Sequence, residues 1–171
     1  MSKKIFLAGI FFMLFCAVCA AQTGGNAMKI TSPAFKHNEL IPAEFTCEGK
    51  DSNPALTIED IPGGTKTLAL IVDDPDAPMG TWVHWVVYNI PSVSEIKENS
   101  VPGEQGKNDF NRKDYGGPCP PSGTHRYFFK LYALDTELKL QGIVTKGSLE
   151  KAMQGHILAT AELIGLYKRH R

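Results

Sequence analysis

The side chains best suited to chemistry in this sequence are carboxylates, imidazoles and a phenol that stand where apolar segments meet turns. They lie in the segments IVDDPDAP, WVHWVVYNI and HRYFFKLYAL, and they are Asp73, Asp74, Asp76, His84, His125 and Tyr127. Protonated imidazoles and backbone N–H groups can hold a small anion, while a neighbouring carboxylate fixes the imidazole tautomer. These residue types therefore predict a pocket for a small anion, provided that the fold brings the three segments together.

Each of these residues also has a purely structural explanation. Asp before Pro is common in turns, and a single His within a strand is more often a hydrogen-bonded structural residue than a ligand. Two His and two Asp suit a metal ion, but no short H-x-H or H-E-x-x-H spacing is present. Ser122, the serine nearest to these segments, lacks the G-x-S-x-G context of a hydrolase nucleophile. We therefore expect no catalytic residue, no cofactor and no metal, with a weak hydrolase on the same Asp/His rim as an alternative.

Period-two alternation and β-branched residues predict the elements that carry these side chains. The predicted strands are 67–73, 82–90 and 125–134, with weaker ones at 28–31 and 56–59. In alternating strands, His84 shares a face with Trp82 and Val86, and His125 shares one with Tyr127 and Phe129. If the three longer strands are neighbours, the polar side chains meet at one rim. The pattern predicts an all-β fold with a minor helix, a single-domain antiparallel β-sandwich.

One helix is predicted near the C-terminus. Thr145 can cap it, Leu149 and Met153 supply an apolar side, and Gly155 supplies a stop. The following segment, 156–167, suits either a helix or a last strand on propensity alone.

The connection from 101 to 124 contains five glycines and four prolines in 24 residues. Structureless loops of this length are uncommon in compact domains and are usually functional or disordered. Tyr115, Cys119 and the segment PCPPSG favour a fixed path and a functional role over a mobile insertion.

The first 21 residues have the pattern of a secretory signal peptide. Lys3 and Lys4 precede the apolar run IFLAGIFFMLFCAV, and the small residues Cys19, Ala20 and Ala21 follow it. A retained membrane anchor is the alternative, but a spanning helix needs roughly 20 apolar residues and this run is shorter. We therefore expect residues 1–21 to be removed, residues 22–171 to form the domain, and the mature protein to be periplasmic or secreted without a stable membrane anchor.

The whole chain has 18 basic and 18 acidic residues, which argues against a nucleic-acid-binding protein. Loss of the leader leaves 16 basic and 18 acidic residues, a net charge near −2. It also leaves two cysteines, Cys47 and Cys119. An oxidising compartment allows these two to pair, and two buried free thiols are the alternative.

Four segments resemble the phosphatidylethanolamine-binding protein (PEBP) family, and within it the bacterial and archaeal Raf kinase inhibitor-like branch of the YbhB/YbcL type. They are DPDAP at 74–78, HWVVYNIP at 84–91, NDFNRKDYGGPCPPSGTHRYFFKLYALD at 108–135, and AMQGHILATAEL at 152–163. The resemblance implies a single antiparallel β-sandwich with few helices and a small anion-binding pocket that uses no metal. It also implies that 156–167 is mainly a strand.

By motif, the resemblance places the ligand-binding role on six residues and a supporting role on two more. The binding residues would be Asp74, Pro78, His84, Pro121, His125 and Tyr127, and the supporting residues Asp76 and Gly117. Two features depart from the eukaryotic members. Val83–His84 stands where they have two adjacent histidines, and their pocket-flanking C-terminal helix is not expected here because the chain stops at Arg171.

The resulting hypothesis is an exported, non-catalytic protein that binds a small anion such as a phosphate-like head group. Two alternatives stay open: a protein-interaction or inhibitor module that acts on a protease or kinase through the 101–124 loop, and the weak hydrolase named above.

Overall fold

Nine strands, one α-helix and one short 3-10 helix make up the part of the chain that the computed structural model describes, residues 27–170. The strands are β1 (Lys29–Thr31), β2 (Glu39–Leu40), β3 (Leu56–Glu59), β4 (Thr67–Asp74), β5 (Trp82–Pro91), β6 (Glu95–Ile96), β7 (Glu104–Gln105), β8 (His125–Leu134) and β9 (Ile157–Tyr167). The α-helix α1 spans Lys146–Met153, and the 3-10 helix spans Ala43–Phe45. The predicted signal peptide at residues 1–21 lies outside the described residues and stays a prediction.

The strands form two sheets. The small sheet has the order β1-β3-β6, and the large sheet has the order β2-β9-β8-β4-β5-β7. The three long predicted strands are therefore neighbours, in the order β8-β4-β5, as the rim hypothesis requires. All pairings among the described strands are antiparallel except that of β2 with β9, which is parallel. The predicted single-domain sandwich is confirmed with this one exception.

The central strand β4 is buried along its whole length because both of its faces are covered. Side chains on one face, such as Leu68, Leu70 and Val72, join the main core between the two sheets. Ala69 and Ile71 point to the other face and join a second core. This arrangement explains why TLALIV reads as a continuous apolar run rather than an alternating one.

Helix α1 covers the second core with Leu149 and Met153. Its N-terminus is capped as predicted, since the Thr145 side chain accepts a hydrogen bond from the Ser148 amide. Beyond its C-terminus, Gly155 takes a φ of +80°, which a glycine adopts without strain. The ambiguous segment then forms strand β9, which pairs with β8 along its length. The strand implied by the family resemblance is confirmed.

The 101–124 connection follows a fixed path over β5. It contains strand β7, and beyond it the Gly106, Asp109 and Gly116 amides donate to the backbone carbonyls of Val86, Val83 and His84. Cys119, near its end, forms a disulfide with Cys47, which lies just after the 3-10 helix. The predicted pairing of the two cysteines is thus confirmed. Within residues 27–170, every helix is too short or too polar to span a bilayer.

Candidate ligand-binding site

A β-bulge places His84 at one end of the large sheet. Val72 of β4 pairs with Trp85, whereas the next residue, Asp73, pairs with Val83, so that His84 is an extra residue on β5. A bulge interrupts the alternation of side chains, and here it turns His84 and Trp85 to the same side of the sheet. The His84 ring packs edge-on against Tyr127 of β8, with 5.1 Å between ring centroids.

The bulge also corrects one prediction. Strict alternation assigns His84 and Val86 to one face, but Val86 belongs to the second core, on the opposite face from Tyr127. The prediction is wrong because the bulge shifts the register by one residue, which moves Val86 and Tyr88 to the opposite face. A second register shift, between Leu68 and Leu70 of β4, returns Ile90 to the main core. Strand β8 has no such interruption at its start, so His125, Tyr127 and Phe129 share the inward face as predicted.

Asp73 and Asp74 point to opposite faces of the sheet, so only one of them reaches the rim. Asp73 is completely buried on the α1 side, where its carboxylate accepts hydrogen bonds from Lys130 at 2.8 Å and Lys146 at 2.5 Å. Asp74 faces the other side and accepts at Oδ2 from Nδ1 of His125, 2.7 Å away. Because a carboxylate is the acceptor, Nδ1 carries the proton of His125.

The Asp74 carboxylate also organises the turn that follows β4. Its Oδ1 accepts the backbone N–H of Asp76 at 2.8 Å, an interaction typical of an Asx turn. Asp76 in turn forms a two-pronged ion pair with Arg126, at 2.6 and 2.8 Å. The guanidinium hydrogen bonds lower the pKa of Asp76 to about 2, so this pair ties the DPDAP turn to the start of β8.

The orientation of the His84 ring is fixed by the 101–124 connection. Nδ1 lies 2.6 Å from the carbonyl oxygen of Gly116, and a carbonyl can only accept, so Nδ1 carries a proton. Nε2 is then the nitrogen that remains to gain a proton or contact a ligand. Burial lowers the pKa of His84, while the Gly116 carbonyl and the Asp74 charge act in the opposite direction. The ring is therefore neutral at pH 7.

These side chains surround a cavity of about 260 Å³, here called the rim pocket. Its walls are mostly apolar or aromatic, and its polar side chains are those of Asp74, His84 and Tyr127. The full set of lining residues is Asp74, Ala77, Pro78, Trp82, His84, Phe110, Cys119, Pro120, Pro121 and Tyr127. This volume lies just below the roughly 300–1,000 Å³ of sites for drug-sized ligands. The rim pocket thus suits a small group.

Tyr127 is the most unusual member of the rim pocket. Its side chain is completely buried, and its hydroxyl lies close to the backbone of Cys119, but no group in residues 27–170 meets the distance and angle of a normal hydrogen bond with it. Burial, and next the Asp74 charge, raise the pKa of Tyr127, so the hydroxyl keeps its proton at neutral pH. The pocket wall therefore contains a buried donor without a hydrogen-bond partner among residues 27–170.

The structure separates the predicted site residues into two groups. Those that line the rim pocket are Asp74, Pro78, His84, Pro121 and Tyr127. His125 is buried behind Asp74 instead, Asp76 holds Arg126, and Gly117 packs against Asp51 on the outer side of the loop. Five of the residues that line it were not among the predicted binding or supporting residues, namely Ala77, Trp82, Phe110, Cys119 and Pro120.

Strand alternation offered a signal for only one of these five. Trp82 stands two positions before His84 in an alternating strand, which places it on the same face. Phe110 and Cys119 lie in the long connection, where no periodicity relates them to the strands. Among residues 27–170, no group of three or more His, Cys, Asp or Glu is arranged to hold a metal ion.

Comparison with known proteins agrees with this architecture. The sequence model of the phosphatidylethanolamine-binding protein family matches residues 31–168. The chain belongs to this family. Similar proteins include a UPF0098 protein of Pyrococcus abyssi, 49% identical over 172 residues that cover 94% of this chain and 96% of the relative. A UPF0098 protein of Aquifex aeolicus is 51% identical over 158 residues, which cover 86% and 92% of the two chains.

Two solved PEBP structures share the fold. One, from Chlamydia trachomatis, is described as a PEBP homologue; it is 44% identical, has a TM-score of 0.82, and the match covers 85% of this chain and 99% of that one. The other, YbcL of E. coli, is described as a member of the mammalian PEBP family. It is 32% identical, with a TM-score of 0.78 and coverage of 85% and 100%. The resemblance inferred from the motifs is confirmed.

Proposed function

We propose that this PEBP-family protein is a non-catalytic binding protein whose rim pocket takes a small anion of the phosphate-like head-group class. The observation that carries the proposal is the Tyr127 hydroxyl, which is buried in the pocket wall without a partner in residues 27–170. A buried unsatisfied donor costs about 1–3 kcal/mol. An anionic oxygen that accepts from this hydroxyl would remove the cost, so the pocket favours an acceptor-rich ligand.

His84 makes the proposed binding depend on pH. The neutral ring contributes no charge at pH 7, because burial lowers its pKa. An anion beside the imidazole favours the protonated ring, so binding the anion is coupled to uptake of a proton. Affinity for the anion should therefore rise as the pH falls from 8 to 6. By linkage, the bound anion should in turn raise the pKa of His84.

Asp74 places a negative charge on the same wall, and this charge affects which anions the pocket can bind. A carboxylate next to the pocket disfavours a bare dianion but gives an ammonium group a partner. A zwitterionic head group such as phosphoethanolamine therefore complements the pocket better than inorganic phosphate, with its amine directed to Asp74 and its phosphate to Tyr127 and His84.

The compartment forms part of the proposal. The segment 1–21 has the pattern of a signal peptide. A disulfide joins Cys47 to Cys119, and such bonds persist in the oxidising compartments to which proteins are exported. We infer a periplasmic or secreted protein with no nucleic-acid partner. Mass spectrometry of the native protein should find an N-terminus near residue 22, and an intact Met1 in the cytosolic fraction would contradict export.

Neither alternative function has a specific observation in its favour. The 101–124 connection is hydrogen-bonded to β5 rather than projecting as a free loop. For a hydrolase, Ser122 would have to approach an imidazole, but it lines a different cavity, together with Lys168 and Arg169.

Calorimetric titration with phosphoethanolamine and with inorganic phosphate, at pH 6 and pH 8, tests the proposal. The wild type should bind more tightly at pH 6. His84→Asn keeps a donor for the Gly116 carbonyl but cannot titrate, so it should bind weakly and keep only the pH dependence that comes from the ligand's own ionisation. His156→Asn is the matched control, because His156 is exposed and paired with Asp135 away from the pocket. Absence of binding at pH 6, or wild-type affinity in both His84→Asn and His125→Ala, would overturn the assignment.

A further inference from the structure

The peptide group between Gly116 and Gly117 is hydrogen-bonded on both of its sides. Its carbonyl oxygen accepts Nδ1–H of His84 at 2.6 Å, and its N–H donates to Oδ1 of Asp51 at 2.6 Å. The C=O and N–H of one planar trans peptide point in opposite directions. A continuous chain of hydrogen bonds therefore runs from the Asp51 carboxylate, through one peptide group, to the His84 imidazole.

The surroundings hold this peptide group in place. The Gly116 amide donates to the backbone carbonyl of His84 at 3.0 Å, so the loop and β5 are joined by a second bond at the same point. A Cβ atom at Gly117 would lie 2.7 Å from Oδ1 of Asp51 and 2.6 Å from the carbonyl oxygen of Phe45. Glycine is thus required at 117 for Asp51 to approach so closely.

Asp51 is itself held in an uncommon conformation. Its φ is +54°, in the left-handed region that few residues other than glycine adopt. Its second carboxylate oxygen lies 3.4 Å from Nη2 of Arg112, and the Nε of Arg112 lies 3.1 Å from the carboxylate of Asp114. Two carboxylates therefore share one guanidinium, but only Asp51 touches the peptide group.

We propose that Asp51 is a positioning residue for His84, which it orients and biases towards the protonated state through the Gly116–Gly117 peptide group. Hydrogen bonds in a chain polarise one another. A carboxylate that accepts from the N–H increases the negative charge on the carbonyl oxygen of the same peptide, and this oxygen becomes a better acceptor for Nδ1–H. The protonated His84 ring is a stronger donor than the neutral ring, so it is stabilised more by this improved acceptor. The inference deepens the proposed function, since the protonated ring is the form that attracts an anion.

Other charged and titratable groups lie on the elements packed around His84. They are Asp73 and Asp74 on β4, Tyr127 and His125 on β8, and Asp109, Arg112 and Asp114 in the long connection. An Asp51→Asn variant substitutes none of these side chains, although Arg112 loses one of its two carboxylate partners. Asn adopts positive φ values readily, and its amide oxygen can still accept from the Gly117 N–H, so the variant removes the charge while it keeps the fold.

Nuclear magnetic resonance titration of the His84 ring in the ligand-free protein tests the proposal directly. In Asp51→Asn, the midpoint of the His84 titration should move to lower pH, and Nδ1–H should exchange faster with solvent because its bond to Gly116 is weaker. Asp114→Asn is the matched control, since it removes one carboxylate from the same guanidinium and leaves the relay intact; it should change neither quantity. If Asp51→Asn leaves both quantities at their wild-type values, or Asp114→Asn alters them equally, the relay does not exist.

Titration with inorganic phosphate at pH 6 separates this inference from the function on which it rests. The dissociation constant should increase roughly tenfold in Asp51→Asn, the lower end of the range of about 10- to 100-fold expected when a partner that orients a binding histidine is removed, and less than about twofold in Asp114→Asn. Weaker phosphate binding without a change at His84 would give Asp51 a purely structural role and refute the proposal. If the wild type binds no phosphate but the His84 midpoint moves as expected, the proposed function fails while the relay stands.

Discussion

Replacing Tyr127 with phenylalanine should stabilise the ligand-free protein and weaken ligand binding at the same time. The variant removes only the hydroxyl that has no hydrogen-bond partner among the described residues. The ring keeps its edge-on contact with His84, 5.1 Å between centroids, and its place in the main core. The two effects have opposite signs because the hydroxyl is buried at a cost in the free protein and used in the complex.

The magnitudes follow from the burial of this hydroxyl. A buried donor without a partner costs about 1–3 kcal/mol, so Tyr127→Phe should raise the free energy of unfolding by about 2 kcal/mol. For a domain of this size, each kcal/mol corresponds to a change of about 2–4 °C in Tm, which gives an increase of roughly 4–8 °C. A hydrogen bond to a charged acceptor contributes about 1.5–3 kcal/mol. Its loss should weaken phosphoethanolamine binding roughly 10- to 150-fold.

Calorimetry measures both quantities on the same samples, by thermal unfolding without ligand and by titration with phosphoethanolamine at pH 6. Tyr115→Phe is the matched control. Tyr115 is also a buried tyrosine, but its hydroxyl donates to the carbonyl oxygen of Phe45 at 3.1 Å, and it does not line the rim pocket. This variant should lose about 1 kcal/mol of stability and keep the affinity of the wild type.

A fall in the Tm of ligand-free Tyr127→Phe would refute the reasoning, because it would mean that the hydroxyl already has a stabilising partner. Binding within about twofold of the wild type would show that the hydroxyl does not contact the ligand. Equal changes in Tyr115→Phe and Tyr127→Phe would attribute the effects to tyrosine burial in general.

Three further predictions concern stability and titration. Because burial lowers the pKa of His84 in the folded protein, residue 84 of the unfolded chain binds a proton near pH 6 while the folded chain does not. The free energy of unfolding, measured by denaturation at pH 7 and at pH 5, should therefore fall on acidification. The part of this fall that is due to His84 should be absent from His84→Asn. Reduction of the Cys47–Cys119 bond, whose cysteines are 72 residues apart, should cost up to about 4 kcal/mol, and a double Cys→Ser variant should match the reduced protein. Arg126→Met should raise the pKa of Asp76 from about 2. In the wild type, the stabilisation from Asp76 is present above its unfolded pKa and is lost only as the pH falls towards 2. The variant should lose most of this stabilisation and keep the smaller part supplied by the backbone N–H of residue 126, as carboxylate titration by nuclear magnetic resonance can verify.

The long elements were predictable because their signals are local. Strand β8 was predicted with the bounds observed, and β4 and β5 were predicted to within one residue at their ends. Their runs of β-branched and aromatic residues can be recognised without knowing which strands lie beside them. Thr145 and Gly155 bracket α1 through capping and positive φ, which depend only on adjacent backbone. The two-residue strands β2, β6 and β7 were missed, since alternation cannot be recognised over two positions.

The composition of the site followed from motifs, whereas its geometry did not. The sequence by itself determined the order of strands along the chain, Cys47 and Cys119 as the candidate disulfide pair, and the family. Only the tertiary structure decided that His84 stands in a bulge and that His125 lies behind Asp74 rather than in the pocket wall. It also brought Asp51 to Gly117, 66 positions away. A bulge depends on the register between strands, and side-chain burial depends on what packs from distant segments, so neither can be read from local sequence.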